Sequence, residues 1–147
     1  MKQRHPEYFE GILQLRNVSQ KVYDWVYDRI EQDGKAWVAK EKIIKSGYDL
    51  YLSDQHYLQA LGKKLKARFA GELIVSQRLH TTERMTQKKL YRVTVLFRQL
   101  PFSVGDIIVT DDGSWKVLFV GNQARAQNID SGKKKMFKFH ELERWVR

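Results

Sequence analysis

Two stretches of this 147-residue chain repeat their apolar side chains every three or four positions. In the first, Val18, Val22, Trp25, Val26 and Ile30 form the stripe of a helix of about 14 residues, closed by Asp33-Gly34. In the second, Leu58, Leu61, Leu65 and Phe69 form a stripe whose other sides carry Lys63, Lys64, Lys66 and Arg68. Ser53 is placed to cap this helix, because its hydroxyl can accept from an orphan amide of the first turn, and Gly71 is its expected stop. Each helix has one apolar side and must bury it against something. Strand-like runs supply the surface: 8–16, with Phe9, Leu13 and Leu15 on one side; 36–45 and 48–53 around Ser46-Gly47; and 72–82 and 88–98. The order predicts an α+β unit over residues 1–100, an antiparallel sheet with both helices on one face. The other face is then open to carry basic side chains.

Leu100-Pro101-Phe102 changes the pattern. From Val104 onward the runs GDIIVT, SWKVLFV, QARAQNI, KMFKF and ERWV are short and separated by Asp112-Gly113, Gly121-Asn122 and Ser131-Gly132. About five such strands predict a small SH3-like β-barrel over residues 101–147.

Charge is the strongest functional signal. The chain has 27 Lys and Arg against 17 Asp and Glu, a formal net charge of +10. Between Lys63 and Arg98 there are ten basic residues and only Glu72 and Glu83 against them. Such a local excess calls for a polyanion. Lys63, Lys64, Lys66 and Arg68 on the second helix, and Arg78, Arg84, Lys88, Lys89 and Arg92 around the 72–98 hairpin, are the expected RNA-contacting residues. His80, Thr81 and Thr82 add polar groups suited to phosphates. Lys133, Lys134 and Lys135 form a second cluster, either a phosphate contact or a solubility feature. The aromatic residues show no base-stacking motif, so contact is expected to be to backbone and shape.

Catalytic and metal chemistry find no support. With no cysteine, the chain can form neither disulfides nor thiolate metal sites. His5, His56, His80 and His140 are too scattered for ligation. Asp111-Asp112-Gly113 reads as a hairpin turn rather than a calcium loop, and no phosphate-binding glycine loop or nucleophile elbow is present. No cofactor, catalytic residue, metal site or small-molecule substrate is expected. No apolar run reaches the roughly 20 residues of a spanning helix and the N-terminus has no secretory pattern, so a soluble, cytoplasmic, monomeric protein without a membrane partner is expected. A peptide-binding barrel, with charge serving only solubility, is the competing reading.

The strings YFEGILQLR (8–16), GYDLYLSD (47–54), LGKKLKARFAGELIVSQRL (61–79), KKLYRVTVLFR (88–98) and LPFSVGDII (100–108) resemble the Nmd-three family. Its members are the eukaryotic nuclear export adaptor of the large ribosomal subunit and archaeal homologues. The resemblance implies a ribosomal-protein-like α/β module followed by a barrel similar to the N-terminal domain of initiation factor five-A. It also implies a non-enzymatic assembly or transport factor that binds the large ribosomal subunit, its RNA and proteins near the tRNA exit site. The family usually starts with a zinc module built on CxxC pairs, which this cysteine-free sequence lacks. It also lacks the long tail that carries transport signals, so the export role is not carried over. The chain is expected to be either a fragment beginning after the zinc module or a short archaeal-type form.

Overall fold

A computed structural model describes residues 5–82 and 89–146. Strand β1 (Gly11–Arg16) leads into helix α1 (Gln20–Asp33), hairpin strands β2 (Val38–Ile44) and β3 (Gly47–Leu52), helix α2 (Gln55–Arg68), and the long strands β4 (Gly71–Thr82) and β5 (Lys89–Gln99). The sheet order is β2-β3-β1-β5-β4.

Both apolar stripes do what their spacing demands. Val22, Val26 and Ile30 of α1 and Leu58, Leu61 and Leu65 of α2 share one buried cluster with Leu13, Leu15, Leu50, Leu52, Val93, Val95 and Phe97 of the sheet. Since alternate strand residues point to opposite faces, these partners place both helices on one side and neither on the other. At the start of α1, Ser19 Oγ accepts from the Val22 amide. At its end Gly34 adopts a left-handed conformation, φ 61°, and donates to the Ile30 carbonyl, a geometry glycine adopts without a Cβ penalty.

Four details of this sheet and its helices depart from expectation. The sheet is mixed rather than antiparallel, because β1 and β5 run parallel, Leu13 opposite Val95. Alternation tells which side of a strand faces the core, not which neighbour it takes. With Val93, Val95 and Phe97 fully buried, β5 occupies the interior position, and β4, whose Ile74 and Leu79 stay about half exposed, takes the edge. Second, the α2 cap is Asp54, whose carboxylate accepts from the Tyr57 amide. Ser53 is buried and accepts from the Trp37 amide instead, joining the start of β2 to the end of β3. Third, α2 ends with Phe69 in extended conformation, and Gly71 opens β4. Glycine is needed there for close approach, because a Cβ would overlap the Phe97 ring. Fourth, β1 begins only at Gly11, so Phe9 escapes its alternation and lies against Tyr51 and Arg92 instead of beside Leu13.

The remainder forms a four-stranded antiparallel meander, β6 (Ile107–Thr110), β7 (Gly113–Val120), β8 (Ala124–Asn128) and β9 (Lys134–Phe137), with helix α3 (Phe139–Glu143). The expected fifth strand, ERWV, is instead the end of α3 and the turn after it. Phe139 and Leu142, three residues apart, both enter a second buried cluster with Leu100, Phe102, Ile108, Trp115, Val117 and Phe137. A helical turn brings that spacing to one side and a strand does not. Asp111-Asp112 is a hairpin turn as expected, with Thr110 paired to Gly113.

Candidate nucleic-acid interface

The predicted basic residues fall in three places. Lys63, Lys64, Lys66 and Arg68 are on α2, within the helical layer. Arg78 and Arg92 sit opposite one another on β4 and β5. Arg92 precedes the inward-facing Val93, so this pair belongs to the helix-free face. Lys133, Lys134 and Lys135 occupy the β8–β9 connection and the start of β9. Arg84 and Lys88 lie outside the described residues, and Lys89 is placed by its backbone as the first residue of β5.

The α2 cations do not share one environment. Lys64 pairs with Asp33 at 3.0 Å. The Tyr57 hydroxyl, donating to Asp33 at 2.7 Å, and then Lys64 hold that carboxyl below the usual carboxylate range. Burial and the same hydrogen bond raise the Tyr57 hydroxyl above its ordinary value. Lys66 turns inward: its ammonium donates to the carbonyls of Gly71 and Gly121 and lies 5.5 Å from the Phe139 ring centroid. Burial lowers its pKa, partly opposed by Glu72. Lys66 therefore joins the two sheets. Lys64 and Arg68, with Arg29 and Trp25 from α1, line a shallow groove of about 430 Å³ between the helices. Arg29 was not legible as part of this set, because the first helix region has no basic excess.

The helix-free sheet face holds the residues that charge counting along the chain missed. Pairing carries one row across it from Lys40 through Tyr51, Ile12 and Thr94 to Ser76, and the next from Lys42 through Asp49, Gln14 and Leu96 to Ile74. Arg16 pairs with Asp49 at 2.8 Å. Arg98 bridges Glu72 at 3.3 Å and Glu143 of α3 at 2.8 Å. Burial works against the Arg98 charge, yet Glu143 and Glu72 together raise its pKa above the ordinary value. Both acids on these strands' open face are thus occupied. Lys40, Lys42, Arg78 and Arg92 have no acidic partner among the described residues. The alternation of Lys40 and Lys42 in β2 was the available signal for this face.

The third cluster rests on a buried organiser. Asn128 Oδ1 accepts from the Asp130 and Ser131 amides, and its Nδ2 donates to the Asp112 carbonyl. These bonds shape the loop that presents Lys133. Lys135 lies over the Phe137 ring, 4.9 Å from its centroid.

Among the described residues, no group of three or more His, Cys, Asp or Glu side chains is placed to hold a metal ion. No described helix is long and apolar enough to cross a membrane. The arrangement offers cations, hydroxyls and aromatic rings on a sheet scaffold, chemistry suited to binding a polyanion. A family model described as NMD3, second domain, matches residues 8–98, which takes in all but the last residue of the five-stranded sheet and both helices packed on it. A search of curated proteins finds no match.

Proposed function

The chain belongs to the NMD3 family, and from that premise we propose that it is a non-catalytic factor that binds the large ribosomal subunit during assembly, maturation or transport. The observation that carries this reading is the set of cations left without acidic partners among the described residues, on a scaffold of that family. Residues 1–100 act as the RNA-binding domain. Residues 101–147 act as a small SH3-like barrel, similar to the N-terminal domain of initiation factor five-A, which adds Lys133, Lys134 and Lys135 as a second contact. Lys63, Lys64, Arg68, Arg78, Arg84, Lys88, Lys89 and Arg92 form the main RNA surface. Lys66 contributes through the junction it braces. Ribosomal RNA and proteins near the tRNA exit site are the partners, met in the cytoplasm by a monomer.

Co-sedimentation tests this. The tagged chain should travel with free large subunits and not with small ones, and its appearance with neither removes the reading. Each phosphate-contacting Lys or Arg contributes roughly 0.7–0.9 to the slope of log affinity against log salt. Changing Lys63, Arg68 and Arg78 to Ala should flatten that slope by about two units.

A second reading is favoured by one feature of the smaller sheet. Edge strand β6 exposes Ile107 and Val109 beside a groove of about 860 Å³ that Trp145 and Val146 also line. A peptide-binding module would use this groove. Its binding would persist at about 0.5 M salt, where exposed charges are heavily screened.

A further inference from the structure

We propose that the helix-free sheet face is a stacking platform for unpaired nucleotides of an RNA strand. The observation is the association of Phe9, Tyr51 and Arg92. The Phe9 and Tyr51 rings meet edge to face, with centroids 4.9 Å apart and planes at 86°. The Arg92 guanidinium lies 4.1 Å from the Phe9 centroid. From the other side, the Lys40 ammonium lies 5.6 Å from the Tyr51 centroid. Arg78 is the cross-strand partner of Arg92, and Lys42 follows Lys40 along β2.

This composition differs from that of a solvated basic surface. A merely soluble sheet face needs charge but gains nothing from two half-buried aromatic rings beside the start of β1. Neither Phe9 nor Tyr51 belongs to either buried cluster, so core packing does not account for them. Flat rings and a planar guanidinium supply surfaces on which any base can stack, while flanking ammonium groups follow the phosphates. The bases of a duplex are already stacked and cannot use such a surface. The two acids on the open face of these strands, Asp49 and Glu72, are paired with Arg16 and Arg98, so among the described residues Lys40, Lys42, Arg78 and Arg92 stand there without an acidic partner. Charge complementarity and stacking geometry therefore select the same occupant, a single strand. The proposal rests on the RNA-binding half of the proposed function and does not require a ribosome.

Fluorescence anisotropy tests it, with a labelled oligouridylate and an RNA duplex of equal length as the two probes. The wild-type chain should bind the oligouridylate more tightly than the duplex. Phe9→Leu with Tyr51→Leu should weaken oligouridylate binding about tenfold or more, the worth of one lost stacking contact. The salt slope should not change, because no charge is lost. Arg92→Lys, which keeps the charge and loses the plane, should weaken it in the same direction. Both variants should melt within a few degrees of wild type, and the conservative Arg92→Lys change provides an independent reading if the leucine pair perturbs the fold. Wild-type preference for the duplex, or unchanged oligouridylate affinity in both variants, overturns the platform. Failure to bind the oligouridylate while large-subunit co-sedimentation persists overturns it and leaves the ribosomal reading standing. Stacking-dependent binding without co-sedimentation upholds it and removes the ribosomal reading.

Discussion

Gly62 sits in the interior of α2, on the side that faces the sheet, where two opposing effects can be weighed. Glycine in a helix interior costs about 1 kcal/mol relative to alanine, through backbone entropy. Replacing it should therefore stabilise the chain unless the new methyl group collides. A Cβ at Gly62 would lie 2.9 Å from Val95 Cγ1 and 3.3 Å from Leu73 Cδ1. Comfortable carbon contacts begin near 3.5 Å, so the Val95 methyl would have to retreat by roughly 0.6 Å or more. Val95 is fully buried on an interior strand between β1 and β4, and overpacking such a core costs about 1–3 kcal/mol. The clash should outweigh the propensity gain, and Gly62→Ala should destabilise the chain by about 1 kcal/mol, some 3 °C in melting temperature. The sign should reverse when the obstacle is removed. In a Val95→Ala background, itself about 2 kcal/mol less stable, the same change should stabilise by about 0.5–1 kcal/mol, the propensity term alone. Urea denaturation of the four proteins measures this cycle. A Gly62→Ala effect of the same sign and size in both backgrounds would refute the reasoning, and the approach of α2 to the sheet would need another cause.

The acid limb of stability should depend on Asp33. Its folded pKa is depressed by the Tyr57 hydroxyl and Lys64, so its contribution is present above the unfolded carboxylate value near 4 and lost as pH falls below it. Asp33→Asn should therefore lower the urea midpoint at neutral pH and converge on wild type in strong acid; a constant gap at every pH would count against this pairing. Lys66→Met keeps the stem but removes the donor to Gly71 and Gly121, and should cost about 1–2 kcal/mol. Faster amide exchange should accompany it around residues 121–123; unchanged stability and exchange would show that the ammonium holds nothing together. Asn128→Ala orphans two amides and a carbonyl beneath the lysine loop and should cost about 2–3 kcal/mol. Thermal melts measure this, and a loss under about 0.5 kcal/mol would mean that solvent satisfies those groups.

What was legible in the sequence was whatever a one-dimensional period can encode. The stripes Val18 to Ile30 and Leu58 to Phe69 specify two helices and the faces they bury, because side-chain direction in a helix follows from spacing alone. The paired runs around Ser46-Gly47 and Asp112-Gly113 specify hairpins, because their turn residues permit little else. Neighbour identity in the sheet was not encoded that way. Nothing in KLYRVTVLFR states that β5 lies parallel to β1; that choice follows from which strand has most to bury. Phe9 shows a related limit: alternation places it beside Leu13, but β1 starts only at Gly11 and the two-residue period does not apply before it. Close approaches were equally hidden, and Gly71 resembled a helix stop because its real constraint is the Phe97 ring across the strand pair.

The basic segment shows the same limit in its function. Ten cations between Lys63 and Arg98 look alike in a charge count, but the fold gives them different work. Lys66 and Arg98 are committed to the junction between the sheets, one through two carbonyls and the other through Glu72 and Glu143. Lys64 is held by Asp33. Lys63 and Arg68 remain on the helical layer, while Arg78 and Arg92 stand on the opposite face, where Lys40 and Lys42 from outside the counted segment join them. A polyanion that used every available cation would have to reach both sides of the five-stranded sheet. A folded RNA can supply such a surface by presenting separate strands to each side, whereas a single straight duplex lies along only one. The braced junction fits the same geometry: with two small sheets carrying separate cation clusters, fixing one relative to the other avoids part of the orientational entropy that binding would otherwise cost.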